Sequence, residues 1–162
     1  AVINEPVRRG RITGTDLLPG LAEAAPIDVF GMGVEGLRSE RITPYDDPPQ
    51  HQMHQLVAQR RAYLHLCRWT SLGLSLIEAM QMGMPVIGLA TTEAVVAVPP
   101  DAGVLDTRVS TWVEAAHWLL EDDAAAVSLG ARARQVALAR YGLDRFLADW
   151  DRLLEEEVCA SR

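Results

Sequence analysis

Arg68-Trp69-Thr70-Ser71-Leu72-Gly73-Leu74-Ser75-Leu76-Ile77-Glu78-Ala79-Met80-Gln81-Met82-Gly83-Met84-Pro85-Val86-Ile87-Gly88-Leu89 is the stretch that decides how this chain is read. Its order is a turn, a short helix, a tight turn and a buried strand. Thr70 or Ser71 can cap the helix, the side-chain oxygen accepting from a free backbone N–H. Gly73 falls in the first turn, where the missing Cβ lets another group approach the backbone. Gly83 stands just past the helix end, where a left-handed residue is usually needed. Pro85 then opens Val86-Ile87-Gly88-Leu89-Ala90, an apolar run with the look of a central parallel strand. A helix that starts beside a glycine, directly after a strand, offers free N–H groups and a positive dipole end. Both suit a phosphate.

Outward from this stretch, strand and helix signals alternate. On the amino side, residues 62–67 read as a strand. Residues 50–60 read as a helix, with Met53, Leu56 and Val57 at helical spacing. Residues 38–49 are polar and rich in Pro and Asp, which predicts a loop. Residues 26–32 read as a strand that ends in the glycine-rich turn of Gly31 and Gly33. Before it lies a helix through Leu17, Leu18, Leu21 and Ala22, with Thr13 or Thr15 as its cap and Pro19 in its interior. Residues 5–14 read as a loop holding Arg8, Arg9 and Arg11, and residues 1–4 as a short strand. On the carboxyl side, residues 91–95 form a turn with a short helix, and 104–106 a last short strand. Ser110 or Thr111 caps a helix with Val113, Ala116, Leu119 and Leu120 on one face. Residues 124–141 form another, broken by Gly142. Asp144 caps a final helix in which Leu143, Phe146, Leu147, Trp150, Leu153 and Leu154 repeat at three and four. Trp112, Trp118 and Trp150 read as core. The alternation predicts an α/β fold, a Rossmann-like parallel sheet with helices on both faces and a helical C-terminus.

The 162 residues are enough for one domain, read here over 1–162, with a full core. A net charge of −7 argues against a nucleic-acid scaffold. No apolar run approaches the roughly 20 residues of a membrane helix, and no signal peptide is visible. Cys67 and Cys159 lack metal spacing and read as reduced thiols of a cytoplasmic protein. His51 and His54 have metal-like spacing on the helix over 50–60, but no third ligand accompanies them, so they read as surface residues. No metal or other cofactor is called for.

Gly73-Leu74, Glu78-Ala79-Met80, Gly83 and Pro85-Val86-Ile87 together resemble a known pattern. It is that of the nucleotide-sugar-binding, C-terminal half of GT-B glycosyltransferases, of the large retaining group 1 (family 4) type. The pattern there is Glu-Gly-Phe-Gly-Leu-x-x-x-Glu-Ala-Met-x-x-Gly-x-Pro-Val-Ile. The resemblance implies one half of a GT-B fold that binds a nucleotide-diphosphate sugar for transfer to an acceptor. It implies a partner as well, an N-terminal acceptor-binding domain or another chain, and a last helix that crosses back toward it.

The resemblance also assigns roles. Glu78 takes the place of the second Glu, which accepts hydrogen bonds from the ribose hydroxyls; two carboxylate oxygens suit a vicinal diol. The alternative for Glu78 is a helix-start residue in the capping-box spacing Ser75-x-x-Glu78. Thr70 replaces the first Glu, which contacts the transferred sugar. Thr70, Ser71, Leu72, Gly73 and Leu74 offer backbone N–H groups to the diphosphate. Setting Gly14-x-Asp16-Leu17-Leu18 on the family's Gly-x-Asp-Leu-Leu puts Arg8 at an arginine that neutralises the leaving diphosphate. It puts Thr13 at the lysine that helps it, and Arg11 is the expected substitute. Gly31 can approach the base or ribose, and Glu93 follows the strand where the donor loop lies. Trp69 borders this site. Two functions follow: the donor-binding half of a glycosyltransferase, or a non-catalytic module that kept the fold. A dinucleotide-binding fold is a weaker third reading.

Overall fold

The computed structural model of the chain describes residues 1–69 and 72–160, with the backbone alone at 159 and 160. Thr70 and Ser71 therefore lie outside the described residues. Helices α1 (Pro6–Thr13) and α2 (Leu18–Ala22) precede strand β1 (Ile27–Gly31). Strand β2 (Ile42–Asp46), helix α3 (Gln50–Val57) and strand β3 (Tyr63–His65) follow. Then come α4 (Leu74–Gln81), β4 (Val86–Leu89), α5 (Ala94–Ala97) and β5 (Gly103–Asp106). Three helices close the chain: α6 (Val109–Glu121), α7 (Asp123–Tyr141) and α8 (Leu143–Ala160).

Every strand pairing is parallel. β1 pairs with β2, and β4 lies between β3 and β5. All four residues of β4 are buried, as its unbroken apolar run predicts. Residues 1–4 run beside β1, where Val2 bridges Phe30 and the Ile3 N–H donates to the Phe30 carbonyl at 2.8 Å. Successive strand residues face opposite sides. Ile87, Leu89 and Val29 pack with Leu18, Leu21, Trp112 and Leu119, which belong to α2 and α6. Val86, Tyr63 and Phe30 pack on the other side with Val57, Leu76, Met80 and Ala133, from α3, α4 and α7. The α/β reading, with parallel strands between two helical layers and a helical C-terminus, is the fold observed.

Two segments read as loops are ordered elements. Residues 5–14 contain α1. Pro6 opens it, where the missing N–H costs nothing, and Gly14 closes it in the left-handed conformation. Only Pro6 and Thr13 of α1 are buried, so the helix carries no apolar stripe by which to be recognised. Within residues 38–49 lies β2, with Pro44 opposite Val29. β2 is a sheet edge, and a proline is tolerated there because one side of the ladder needs no donor.

Several helix starts also differ. Pro19 falls at the start of α2, so a 3₁₀ turn over Thr15–Leu17 precedes it in place of one longer helix. α4 begins at Leu74 with Gly73 as its N-cap, so Gly73 is not inside the first turn. α6 starts at Val109, before the expected caps Ser110 and Thr111, with Arg108 as N-cap. The Asp106 carboxylate accepts from the Thr107 and Arg108 N–H groups at 2.7 and 2.9 Å, which turns the chain into this helix. The buried face of α6 is Trp112, Ala115 and Leu119, and Leu120 is exposed. Asp144 lies in the first turn of α8, where its charge suits the dipole, but it is not the cap.

Trp112 is buried and its indole N–H donates to the Asp106 carbonyl at 3.1 Å. Trp118 and Trp150, read as core, are exposed. The apolar repeat of α8 is real, but Leu143, Phe146, Leu147, Trp150, Leu153 and Leu154 are all open to solvent. Among the described residues no helix is long and apolar enough to cross a membrane.

Candidate functional site

A cavity of about 420 Å³ opens beyond the carboxyl end of β3. One wall is residues 1–4, another is Leu64, His65, Leu66 and Cys67, and the N-terminal turn of α4 forms its end. Arg9 and Thr13 of α1, Met53 of α3, Tyr63 of β3 and Glu78 of α4 also line it. In open parallel sheets this is the usual place for a ligand.

The turn before α4 brings backbone to the cavity. Gly73 is extended, and its carbonyl accepts from the Leu76 N–H at 3.0 Å. The helix begins at Leu74, so its first N–H groups, those of Leu74 and Ser75, point out of its N-terminal end. The Ser75 hydroxyl accepts from Tyr63 Oη at 2.9 Å. Burial pushes the Tyr63 phenol up to about 12, so it remains a neutral donor. His65 is 5% exposed, and burial lowers its imidazole to about 4. A neutral His65 adds no positive charge at neutral pH.

Glu78 lies one turn into α4, on the side of Leu74 and Ser75. Gln50 Nε2 donates to its Oε1 at 3.4 Å, and His54 Nε2 stands 3.4 Å from its Oε2. His54 is thus turned toward Glu78 rather than standing as a plain surface residue. Arg9 brings a guanidinium to the same cavity from α1. The cavity therefore combines helix N–H groups, one cation and one carboxylate. That set can hold an anion at one end and a pair of hydroxyls at the other.

The profile of the glycosyl transferases group 1 family matches residues 39–136, more than half of the sequence. The chain belongs to this family. Its fold is also that of solved glycosyltransferases. Sucrose-phosphate synthase from Thermosynechococcus elongatus aligns with a TM-score of 0.79 at 20% identity, over 93% of this chain and 43% of that one. HepE from Anabaena, solved with UDP, aligns with a TM-score of 0.77 at 17% identity, over 90% and 46%. TarM from S. aureus aligns with a TM-score of 0.71 at 18% identity, over 88% and 33%. The chain spans less than half the length of each of these structures. Comparison with curated protein sequences gives no match.

Within this glycosyltransferase fold, the residues singled out from sequence fall in different places. Glu78, Leu72, Gly73 and Leu74 line the cavity together. Thr70 and Ser71 lie outside the described residues. Arg8 is exposed and paired with Glu5, one helical turn away, and is not among the lining residues. Arg11 is exposed too. Its carbonyl accepts from Arg68 Nη1 at 2.9 Å, while the Arg68 guanidinium grips both Asp16 oxygens at 2.6 and 3.0 Å. That grip lowers the Asp16 carboxyl below its ordinary range. The cavity receives Arg9, which the sequence alignment passed over. The missed signal is helical phase: in α1, Arg9 and Thr13 are one turn apart and face one side.

Gly31 has its own structural reason. Its φ is 140°, and a Cβ there would run into the Ile3 carbonyl. It lets residues 1–4 lie against β1, and it does not line the cavity. Trp69 is 80% exposed and is neither core nor cavity wall. Glu93 is the exposed N-cap residue of α5, away from the cavity lining. Cys67 is a free thiol whose Sγ donates to the Ile12 carbonyl at 3.3 Å. Among the described residues no three His, Cys, Asp or Glu side chains gather as a metal site.

Proposed function

We propose that the chain is the donor-binding half of a retaining group 1 glycosyl transferase. In this reading, residues 1–162 form one α/β unit that binds a nucleotide-diphosphate sugar. An acceptor-binding domain, in the same polypeptide or another chain, completes the enzyme. One observation carries the reading: the cavity at the head of α4 joins the N-terminal turn of the helix, Arg9 and Glu78.

The diphosphate lies against the α4 N-terminus, where the backbone of Leu72, Gly73 and Leu74 supplies donors. As the bond from the sugar to the diphosphate breaks, negative charge grows on the leaving oxygen. Arg9 and the helix dipole stabilise that charge, with Arg8 and Arg11 adding longer-range positive potential. Glu78 anchors the ribose hydroxyls and so fixes where the diphosphate sits. The sugar moves to the acceptor with its anomeric configuration kept. HepE and the pneumococcal O-GlcNAc transferase, which share the fold, were solved with UDP, and this makes UDP the first ligand to try. The free Cys67 thiol suits a cytoplasmic setting.

A second reading, a non-catalytic module of the same fold, has a specific observation behind it. Thr13 stands at the lysine position, and its hydroxyl is engaged within α1 and the turn after it, 2.9 Å from Thr15 Oγ1 and 3.2 Å from the carbonyls of Arg9 and Gly10. Calorimetric titration of UDP, GDP, ADP and dTDP into the wild type and Arg9→Ala separates the two. The donor reading expects one nucleotide to bind, and Arg9→Ala to weaken it by about tenfold. No binding at millimolar concentration favours the module.

A further inference from the structure

Gln50 and His54 stand one turn apart on α3, so their side chains reach the same side of the helix. Across from them is Glu78 of α4. Gln50 approaches one carboxylate oxygen and His54 the other, each at 3.4 Å. His54 Nε2 is shut off from solvent and makes no hydrogen bond among the described residues. A buried ring nitrogen is seldom left unpartnered. The Glu78 carboxylate 3.4 Å away is an acceptor only. A bare lone pair on Nε2 would set acceptor against acceptor, so Nε2 must carry the proton.

We propose that Gln50 and His54 form a two-point clamp that orients the Glu78 carboxylate for a ribose diol. The inference rests on the donor-site reading above. Each carboxylate oxygen has two lone pairs. With one turned to α3, each oxygen keeps one for the cavity, and a vicinal diol has two O–H groups to fill them. Both separations are long for hydrogen bonds, as positioning contacts often are before the ligand arrives. Gln50 and His54 are positioning residues: they act through Glu78 and touch no reacting atom. The clamp makes the site selective for ribonucleotides over 2′-deoxynucleotides, because only the diol uses both free lone pairs.

The test compares UDP, GDP and ADP with their 2′-deoxy counterparts by calorimetry. Gln50→Ala and His54→Ala are each expected to weaken the ribonucleotide about threefold to tenfold and to leave the deoxynucleotide nearly unchanged. His54→Gln, which keeps an N–H donor, restores most of the affinity. Neither alanine variant has a further effect in a Glu78→Ala background. In parallel, side-chain ¹⁵N NMR of the wild type is expected to show the Nε2–H tautomer of His54. Equal losses for both sugars, losses that persist without Glu78, or an Nδ1–H tautomer would overturn the clamp. A wild type that binds none of the nucleotides overturns the donor-site reading instead, and the tautomer then still decides whether His54 donates to Glu78.

Discussion

Glu78 and His65 both line the cavity, yet they reached it by different logic. Glu78 was legible because its neighbours Ala79, Met80, Gly83 and Pro85 fix its place in a pattern. The arginine was not, since three of them crowd residues 8–11 and only the turn of α1 decides which one faces inward. The chain holds no lysine at all, its 15 basic residues being arginines, so the lysine of the pattern had no counterpart to find. His65 is a residue whose burial has a measurable consequence. Its imidazole is held at about 4, below the ordinary 6.5, so between those values the unfolded chain takes up a proton that the native one refuses. Stability must therefore fall as the pH drops through this window. Between pH 7 and pH 4.5 the wild type should lose about 2–3 kcal/mol more than His65→Leu, as read by urea unfolding. Equal losses in both proteins would show that His65 is hydrated in the native state.

At the scale of elements, α4 is held in place from behind. Gly83 ends its turn with φ 79°, and Gly130 of α7 presses on the Gly83 backbone. A Cβ at Gly130 would collide with the Gly83 carbonyl and lie in contact with Pro85, which leads into β4. Gly130→Ala is thus expected to push α7 off α4 at a cost of about 3 kcal/mol. For a domain of this size that corresponds to a fall in Tm of roughly 6–12 °C by calorimetric scanning. An unchanged Tm would mean that the two glycines are not in contact. Elements with a buried apolar signature, β3, β4 and α4 among them, were readable. α1 and β2 were not, for opposite reasons: α1 buries almost nothing, and β2 carries a proline that its edge position tolerates. The starts of α4 and α6 shifted because backbone geometry and the Asp106 turn set them, rather than the nearest Ser or Thr.

Across the whole molecule, the largest-scale feature is the apolar face of α8, whose described side chains are open to solvent. The apolar repeat of α8 was plain in the sequence, but a repeat shows only that a face is apolar. It does not show what covers it. Trp150 was therefore read as core and is half exposed. In the proposed enzyme, α8 is the element that runs toward the acceptor-binding domain, and that domain would complete the reaction cleft. Donor binding, in the same proposal, rests on residues of this chain, which line the cavity at the head of α4. Titration of UDP, GDP, ADP and dTDP into the wild type and Glu78→Ala tests that claim most directly. The account predicts that one nucleotide binds and that Glu78→Ala weakens it by at least about tenfold, or 1.4 kcal/mol. Equal affinity of the two proteins for that nucleotide would contradict it.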